Sequence, residues 1–235
     1  MKTNVLRWIA IAAAVLSVAA CSLDKNSFDP DIMYPSAIVT VKPDADNSSF
    51  RMQLDEETVL HAVNLKKSPF GTKEVRALVN YRKPTSDELD NGGIYADISN
   101  VYVNWIDSIL TKKTVPDLGE DMNFATYGND PVELFGDWAT VVEDGYITLH
   151  FQTIWGTGGI QHTVNLITGT DPDDPYKVVF RHNANGDVYG EAGDALVAFS
   201  LAELPDTEGQ TVDLTIEWNS FSGTKTAKFH YKTRE

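Results

Sequence analysis

The reading of "SAIVTVKPDADNSSFRMQLDEETVLHAV", residues 36–63, decides the fold. Ala37, Val39 and Val41 alternate with Ile38, Thr40 and Lys42, a period of two that sends the two sets to opposite faces of a strand. Phe50, Met52 and Leu54 repeat the pattern, "DEE" at 55–57 is a short polar turn, and "TVLHAV" at 58–63 resumes it. This predicts a three-stranded meander. After the loop "KSPFGTK", "EVRALVNYR" (74–82) aligns Val75, Ala77, Val79 and Tyr81. Pro84 and "SDELDNGG" break that strand, and "IYADISNVYVNWIDSI" (94–109) reads as a fifth, long enough to bend or bulge near Asn100. Five strands, meander first, fit a small closed barrel of the OB type over residues 35–113. Such barrels often bind oligonucleotides or sugars, but fold alone imports no function.

Residues 114–135, "TVPDLGEDMNFATYGNDPVELF", carry prolines, glycines and acids and read as a connection between domains. Alternation then returns. "GDWATVVEDGYITLHFQTIWG" (136–156) predicts two strands joined at Asp144-Gly145, a hairpin signal. "GTGG" at 156–159 is expected to turn the chain into "IQHTVNLITG". "PYKVVFRHNANGD", "DALVAFSLAEL", "QTVDLTIEWNS" and "GTKTAKFHYK" follow. About seven strands at turn spacings of 8 to 12 residues predict an immunoglobulin-like β-sandwich over 136–235. The chain is therefore expected to be all-β, with helix signals nearly missing.

The N-terminus gives an address. Lys2 and Arg7 precede an uncharged run from Trp8 to Ala20, apolar like a secretory leader and too short to span a bilayer. Val18, Ala19 and Ala20 then lead into Cys21, the single cysteine of the chain. This resembles the lipobox of bacterial lipoproteins, with Val18 where leucine is usual. The resemblance implies cleavage after residue 20, acylation of Cys21, and a tether over 21–34. Acyl chains contribute ~0.8 kcal/mol per buried methylene, so two or more hold a protein stably at a membrane. Ser22 stands where aspartate often signals inner-membrane retention, so the outer membrane is expected. The sequence leaves open whether the protein faces the periplasm or the exterior.

With Lys2 and Arg7 removed, 17 basic residues face 34 acidic ones. Residues 22–113 are near balance, whereas 114–235 hold 20 acidic and 6 basic side chains. A basic stripe, the electrostatic footprint of nucleic-acid binding, is absent, so no nucleic acid is expected as partner. Anionic lipid repels such a chain, so the anchor must do the holding.

Candidate chemistry is sparse. His150 and His162 flank the 156–159 turn and His182 lies on a later strand, but their spacing fits no zinc motif. "DPDDP" (171–175) lacks the glycine and terminal glutamate of a calcium loop. "WGTGG" is followed by no Lys-Ser/Thr of a phosphate loop, and no G-x-S-x-G exists. No metal, no cofactor and no enzymatic activity is expected. Trp218 continues the phase of Leu214 and Ile216 and reads as core. Trp155, beside a glycine-rich tip, reads as an exposed indole able to stack on a sugar or anchor a partner. Tyr102 and Trp105 end the last barrel strand; packing between domains is the first reading and ligand contact the second.

"YPSAIVTVK", "FRMQLDEETVL", "VRALVNYR", "DGYITLHFQT", "HTVNLI" and "VVFRHNANGDVYG", with the lipobox before them, resemble the NigD-like lipoproteins. The resemblance runs from about Pro35 to Tyr231. It implies an N-terminal OB domain, a C-terminal β-sandwich and an envelope location. Its founding member sits in a bacteriocin locus, and the family has no established activity. Two functions stand: a lipid-anchored, non-catalytic module binding another envelope or extracellular protein, or a surface glycan-binding lipoprotein.

Overall fold

The computed structural model describes residues 32–92, 99–156 and 158–234. The leader, Cys21 and most of the tether lie outside the described residues. The first domain comprises β1 (Ala37–Pro43), β2 (Phe50–Gln53), β3 (Val59–Ala62), β4 (Val75–Arg82), a short helix α1 (Ser86–Gly92) and β5 (Ser99–Ser108). The order β1–β2–β3–β5–β4 closes on itself, with β3 and β5 parallel and the other neighbours antiparallel. The period of two explains the interior: Val39, Val41, Met52, Ala77 and Val79 have no accessible surface. The expected irregularity lies further along β5 than Asn100. Asn80 faces Trp105 and Tyr81 faces Val103, so Asn104 is the extra residue of a bulge. Its side-chain amide donates to Asn80 Oδ1 at 2.7 Å.

The second domain comprises β6 (Leu110–Lys113), β7 (Val115–Pro116), α2 (Glu120–Tyr127), β8 (Glu133–Leu134), β9 (Val141–Glu143), β10 (Tyr146–Trp155), β11 (Thr163–Thr168), β12 (Lys177–Asn183), β13 (Glu191–Ser200), β14 (Val212–Ser220) and β15 (Gly223–Tyr231). One sheet runs β6–β13–β10–β8, with β9 also on β10; the other runs β15–β14–β12–β11–β7. Their inner faces meet in one core that includes Ile147, Leu149, Phe151, Leu166, Phe180, Phe199, Leu214, Ile216 and Trp218. Phe180 sits edge-on to both Phe151 and Phe199, at 5.5 and 6.0 Å.

Several expectations change here. Residues 110–113, read as the barrel's tail, form β6 and pair in parallel with β13. The stretch read as a connection supplies β7, α2 and β8, and β7 pairs in parallel with β11. Asp144 and Gly145 have φ of 50° and 73° and join β9 to β10 as the sequence indicates. β10 and β11 do not pair as a hairpin but lie in different sheets, with His150 on β10 and His162 just before β11.

The alternation assigns Ile38, Thr40 and Arg76 to the outside of the barrel, yet all three are buried. The sandwich covers them. Ile38, Leu78 and Ile109 pack on Ala139, Leu196 and Ala198. Beside this apolar seam, Arg76 has no accessible surface. Its guanidinium donates to Thr40 Oγ1 at 3.1 Å within the barrel, and to Thr148 Oγ1 at 3.3 Å and Glu143 Oε2 at 3.1 Å across the interface. Burial pulls the Arg76 pKa down and pushes that of Glu143 up, so desolvation opposes this ion pair at both partners. Lys42 reaches Asp144 at 2.7 Å, while Tyr146 and Arg234 both bond Glu74, at 2.8 and 2.6 Å. The two domains are thereby held as one body.

Candidate functional site

The end of the sandwich where β10 and β12 finish and β13 begins gathers the candidate residues. Asn185-Gly186, with φ of 51° and 86°, makes a tight turn after β12 that brings Asp187 back towards Gly156. Asp187 Oδ2 accepts the Gly156 N–H at 2.9 Å and lies 3.2 Å from His162 Nε2. A Cβ on Gly156 would stand 1.8 Å from Asp187 Oδ1, so only glycine admits this approach. His162 Nδ1 lies 2.9 Å from His182 Nε2. With both rings neutral, one proton placement satisfies the chain. His162 Nε2–H donates to Asp187, and His182 Nε2–H donates to His162 Nδ1. The buried His182 Nδ1 is then a bare lone pair, and it has no partner. Burial, reinforced by His162, holds the His182 pKa down to about 4.

This carboxylate–histidine–histidine relay resembles half of a hydrolytic triad, but among the described residues no hydroxyl or thiol is bonded to either ring. Among the described residues, no group of three or more histidine, cysteine or acidic side chains is arranged to hold a metal ion. His150 has separate partners, with Nδ1 at 2.7 Å from Asp137 and Nε2 at 3.6 Å from Asp194. In "DPDDP", Asp171 and Asp174 cap the backbone N–H groups of Asp173 and Tyr176.

Trp155 is not the exposed platform expected from its glycine-rich surroundings. Its indole stacks on the His162 ring at 4.1 Å and 19°, and Nε1 donates to Gly193 O at 2.9 Å. A Cβ on Gly193 would meet Trp155 Cδ1 at 2.5 Å. The missing side chain at Gly193 is what lets the indole lie flat across β13. Trp155 is half-buried and shields the relay.

The exposed apolar groups of this end are others. Tyr189 is 86% exposed, Phe221 52%, Ile160 46% and Val188 41%. Val188 and Phe221 wall a pocket of about 70 Å³ whose floor includes Pro131, Thr153, Ile154 and Ala184, with Asp130 and Asp187 at its edge. The sequence carries one usable signal for it: Phe221 stands at the tip of the two-residue turn between β14 and β15, where polar residues are the rule.

Tyr102 and Trp105 do not pack between domains. Arg82 lies 4.0 Å over the Tyr102 ring, and Trp105 Nε1 donates to Ile32 O. With Leu65 and Pro69 they line an open cleft of about 440 Å³ on the barrel. The bulge at Asn104 separates the two aromatics along β5.

Residues 38–109 match the NigD-like N-terminal OB domain, and residues 113–231 the NigD-like C-terminal β-sandwich domain. Among solved structures, a protein of Parabacteroides distasonis provisionally named toxin-related is 34% identical, covering 84% of this chain and 92% of its own, with a TM-score of 0.67. A protein of unknown function from Bacteroides vulgatus is 20% identical over 83% of this chain and 89% of its own, with a TM-score of 0.64. A NigD-like immunity protein from Bacteroides caccae is 19% identical over 85% and 98%, with a TM-score of 0.58. No curated protein matches the chain. Both domains and the two-domain order agree, and the chain belongs to the NigD-like family.

Proposed function

We propose that this protein is a lipid-anchored, non-catalytic interaction module of the bacterial envelope that binds another protein. The observation that carries this reading is the pair of exposed apolar side chains, Val188 and Phe221, lining an apolar pocket on two domains held as one body. Exposed aromatic and aliphatic groups around a pocket are the usual anchors of protein interfaces. Among the described residues the relay at the same end has a base with no nucleophile bonded to it, which favours a structural role for it. The leader and Cys21 support anchoring, with the outer membrane as the expected site. The name of the 34% identical protein fits a partner from a toxin or bacteriocin system.

Cross-linking in living cells, with a photoreactive residue on the sandwich surface, tests this reading. Reproducible capture of one protein supports it; no capture from any surface position defeats it. Exposing intact cells to a non-permeant protease then decides the face. Loss of the sandwich places the partner outside, and survival until the outer membrane is opened places it in the periplasm.

The open cleft with Tyr102 and Trp105 favours glycan binding as a second reading. A polysaccharide panel tests it, and Trp105→Ala should abolish any binding found.

A further inference from the structure

We infer that the pocket between Val188 and Phe221 is the anchor site for the partner, and that it takes an apolar side chain flanked by lysine or arginine. This deepens the protein-binding reading and rests on it. Several of the pocket's polar atoms are already committed. Asp130 Oδ2 accepts the Ala184 N–H at 2.7 Å, and the Thr153 hydroxyl donates to Pro131 O at 3.1 Å. Asp187 Oδ2 is shared between Gly156 and His162. A volume of about 70 Å³ accommodates a water or two, but such waters find few free partners. Replacing poorly held water with an aliphatic tip gains affinity.

Charge sets the flanks. Two carboxylates line the pocket, and among the described residues no cation does. Residues 114–235 hold 20 acidic side chains against 6 basic ones, so the surrounding field attracts a cationic segment and repels an acidic one. The pocket is also pre-formed. The contacts to Gly156 and His162 clamp Asp187 next to Val188, and the tight turn before β15 fixes Phe221. Little ordering is then left for the binding step.

The probes are three short peptides: a leucine between two pairs of Lys/Arg, the same peptide with serine for leucine, and the leucine between pairs of Asp/Glu. Each is titrated into the mature chain carrying Cys21→Ser while backbone amide resonances are followed. The cationic leucine peptide should shift amides near 153–154, 184–188 and 221. It should bind about tenfold tighter than its serine counterpart, which is what burying an aliphatic tip is worth. The acidic peptide should not bind. Val188→Lys, at an exposed position, should abolish the shifts while the rest of the spectrum stays native. Equal shifts from all three peptides, shifts centred elsewhere, or an unaltered response in Val188→Lys would overturn the assignment. In cells, cross-linkers at positions 188 and 105 separate the two levels. Capture of a partner at 188 supports the site. Capture at 105 alone, or only at another surface position, defeats the site and leaves the protein-binding reading standing. Capture of a second copy of this chain at 188 defeats the assignment, and capture from no surface position defeats both.

Discussion

Arg76→Met tests whether the interface holds the two domains as one body. Methionine keeps most of the volume and apolar stem but removes every hydrogen bond of the guanidinium. Thr40 and Thr148 have no accessible surface, so each hydroxyl loses a charged donor with no water to replace it, at about 1 kcal/mol or more apiece. Glu143 loses its cation while still partly desolvated. Removing one partner of a fully buried pair costs roughly 3–5 kcal/mol. Glu143 keeps 27% of its side-chain surface, so it can turn to water and contributes less. The whole change should cost about 3 kcal/mol. Urea denaturation at neutral pH, read as the midpoint at unchanged slope, measures it. Adding Glu143→Gln removes the stranded carboxylate and should return about 1 kcal/mol, a coupling that a double-mutant cycle isolates. An Arg76→Met protein within about 0.5 kcal/mol of wild type would falsify the interface reading, because the buried guanidinium would then contribute nothing net.

The relay predicts a pH dependence. His182 has a folded pKa of about 4, below the ordinary histidine value near 6.5, so the unfolded chain binds the proton more tightly. Stability from this group is full above pH 6.5 and is lost as pH falls towards 4, by about 3 kcal/mol over the window. Subtracting the curve of His182→Gln from that of wild type should expose this slope, and two parallel curves would refute the assignment. Gly193→Ala should push the indole off His162 and cost about 2 kcal/mol, with a changed near-ultraviolet dichroism of Trp155 as the reporter. Trp155→Ala should cost about 3 kcal/mol through lost packing. A loss of glycan binding in that variant is therefore uninformative unless its fold is checked first, and a variant as stable as wild type would show that the indole has no structural role.

The barrel was legible because each of its strands has one face against a closed interior, so the period of two survives almost intact from Ala37 to Tyr81. The sandwich strands were legible and their partners were not. Asp144-Gly145 and Asn185-Gly186 carry the same turn chemistry and the same left-handed φ values. The first joins paired strands, whereas the second sends the chain to the opposite sheet. Turn residues fix local dihedral angles, while the burial of side chains far away decides which sheet receives the next strand. The strands β6, β7 and β8 are two to four residues long, too short for a period to show, and Pro116 argues against a strand at all. Arg76 was unreadable for a different reason. Its position in the alternation is outward, which is correct for the barrel alone, and only the docked sandwich makes that face an interior. Trp155 reversed its expected role because Gly193, on β13 and far in sequence from the glycine-rich tip, lets the ring lie down on its neighbours.

The interface also bears on function. The carbonyl of Ile32 is held by Trp105 on the first domain, so the proposed anchor at Cys21 would reach the molecule through that domain. The Val188–Phe221 pocket is on the second. The polar contacts of Arg76, Lys42 and Glu74 span the boundary between them, so the orientation of the pocket relative to the proposed anchor would depend on those bonds. Weakening them should leave the pocket itself untouched. Below its unfolding transition, Arg76→Met should therefore bind the cationic leucine peptide as wild type does in solution. Its cross-linking yield at position 188 in cells should fall, because the tethered domain samples more orientations. Equal yields in both proteins would mean that the partner reaches the pocket whatever the angle between the domains, and that the buried arginine serves stability alone.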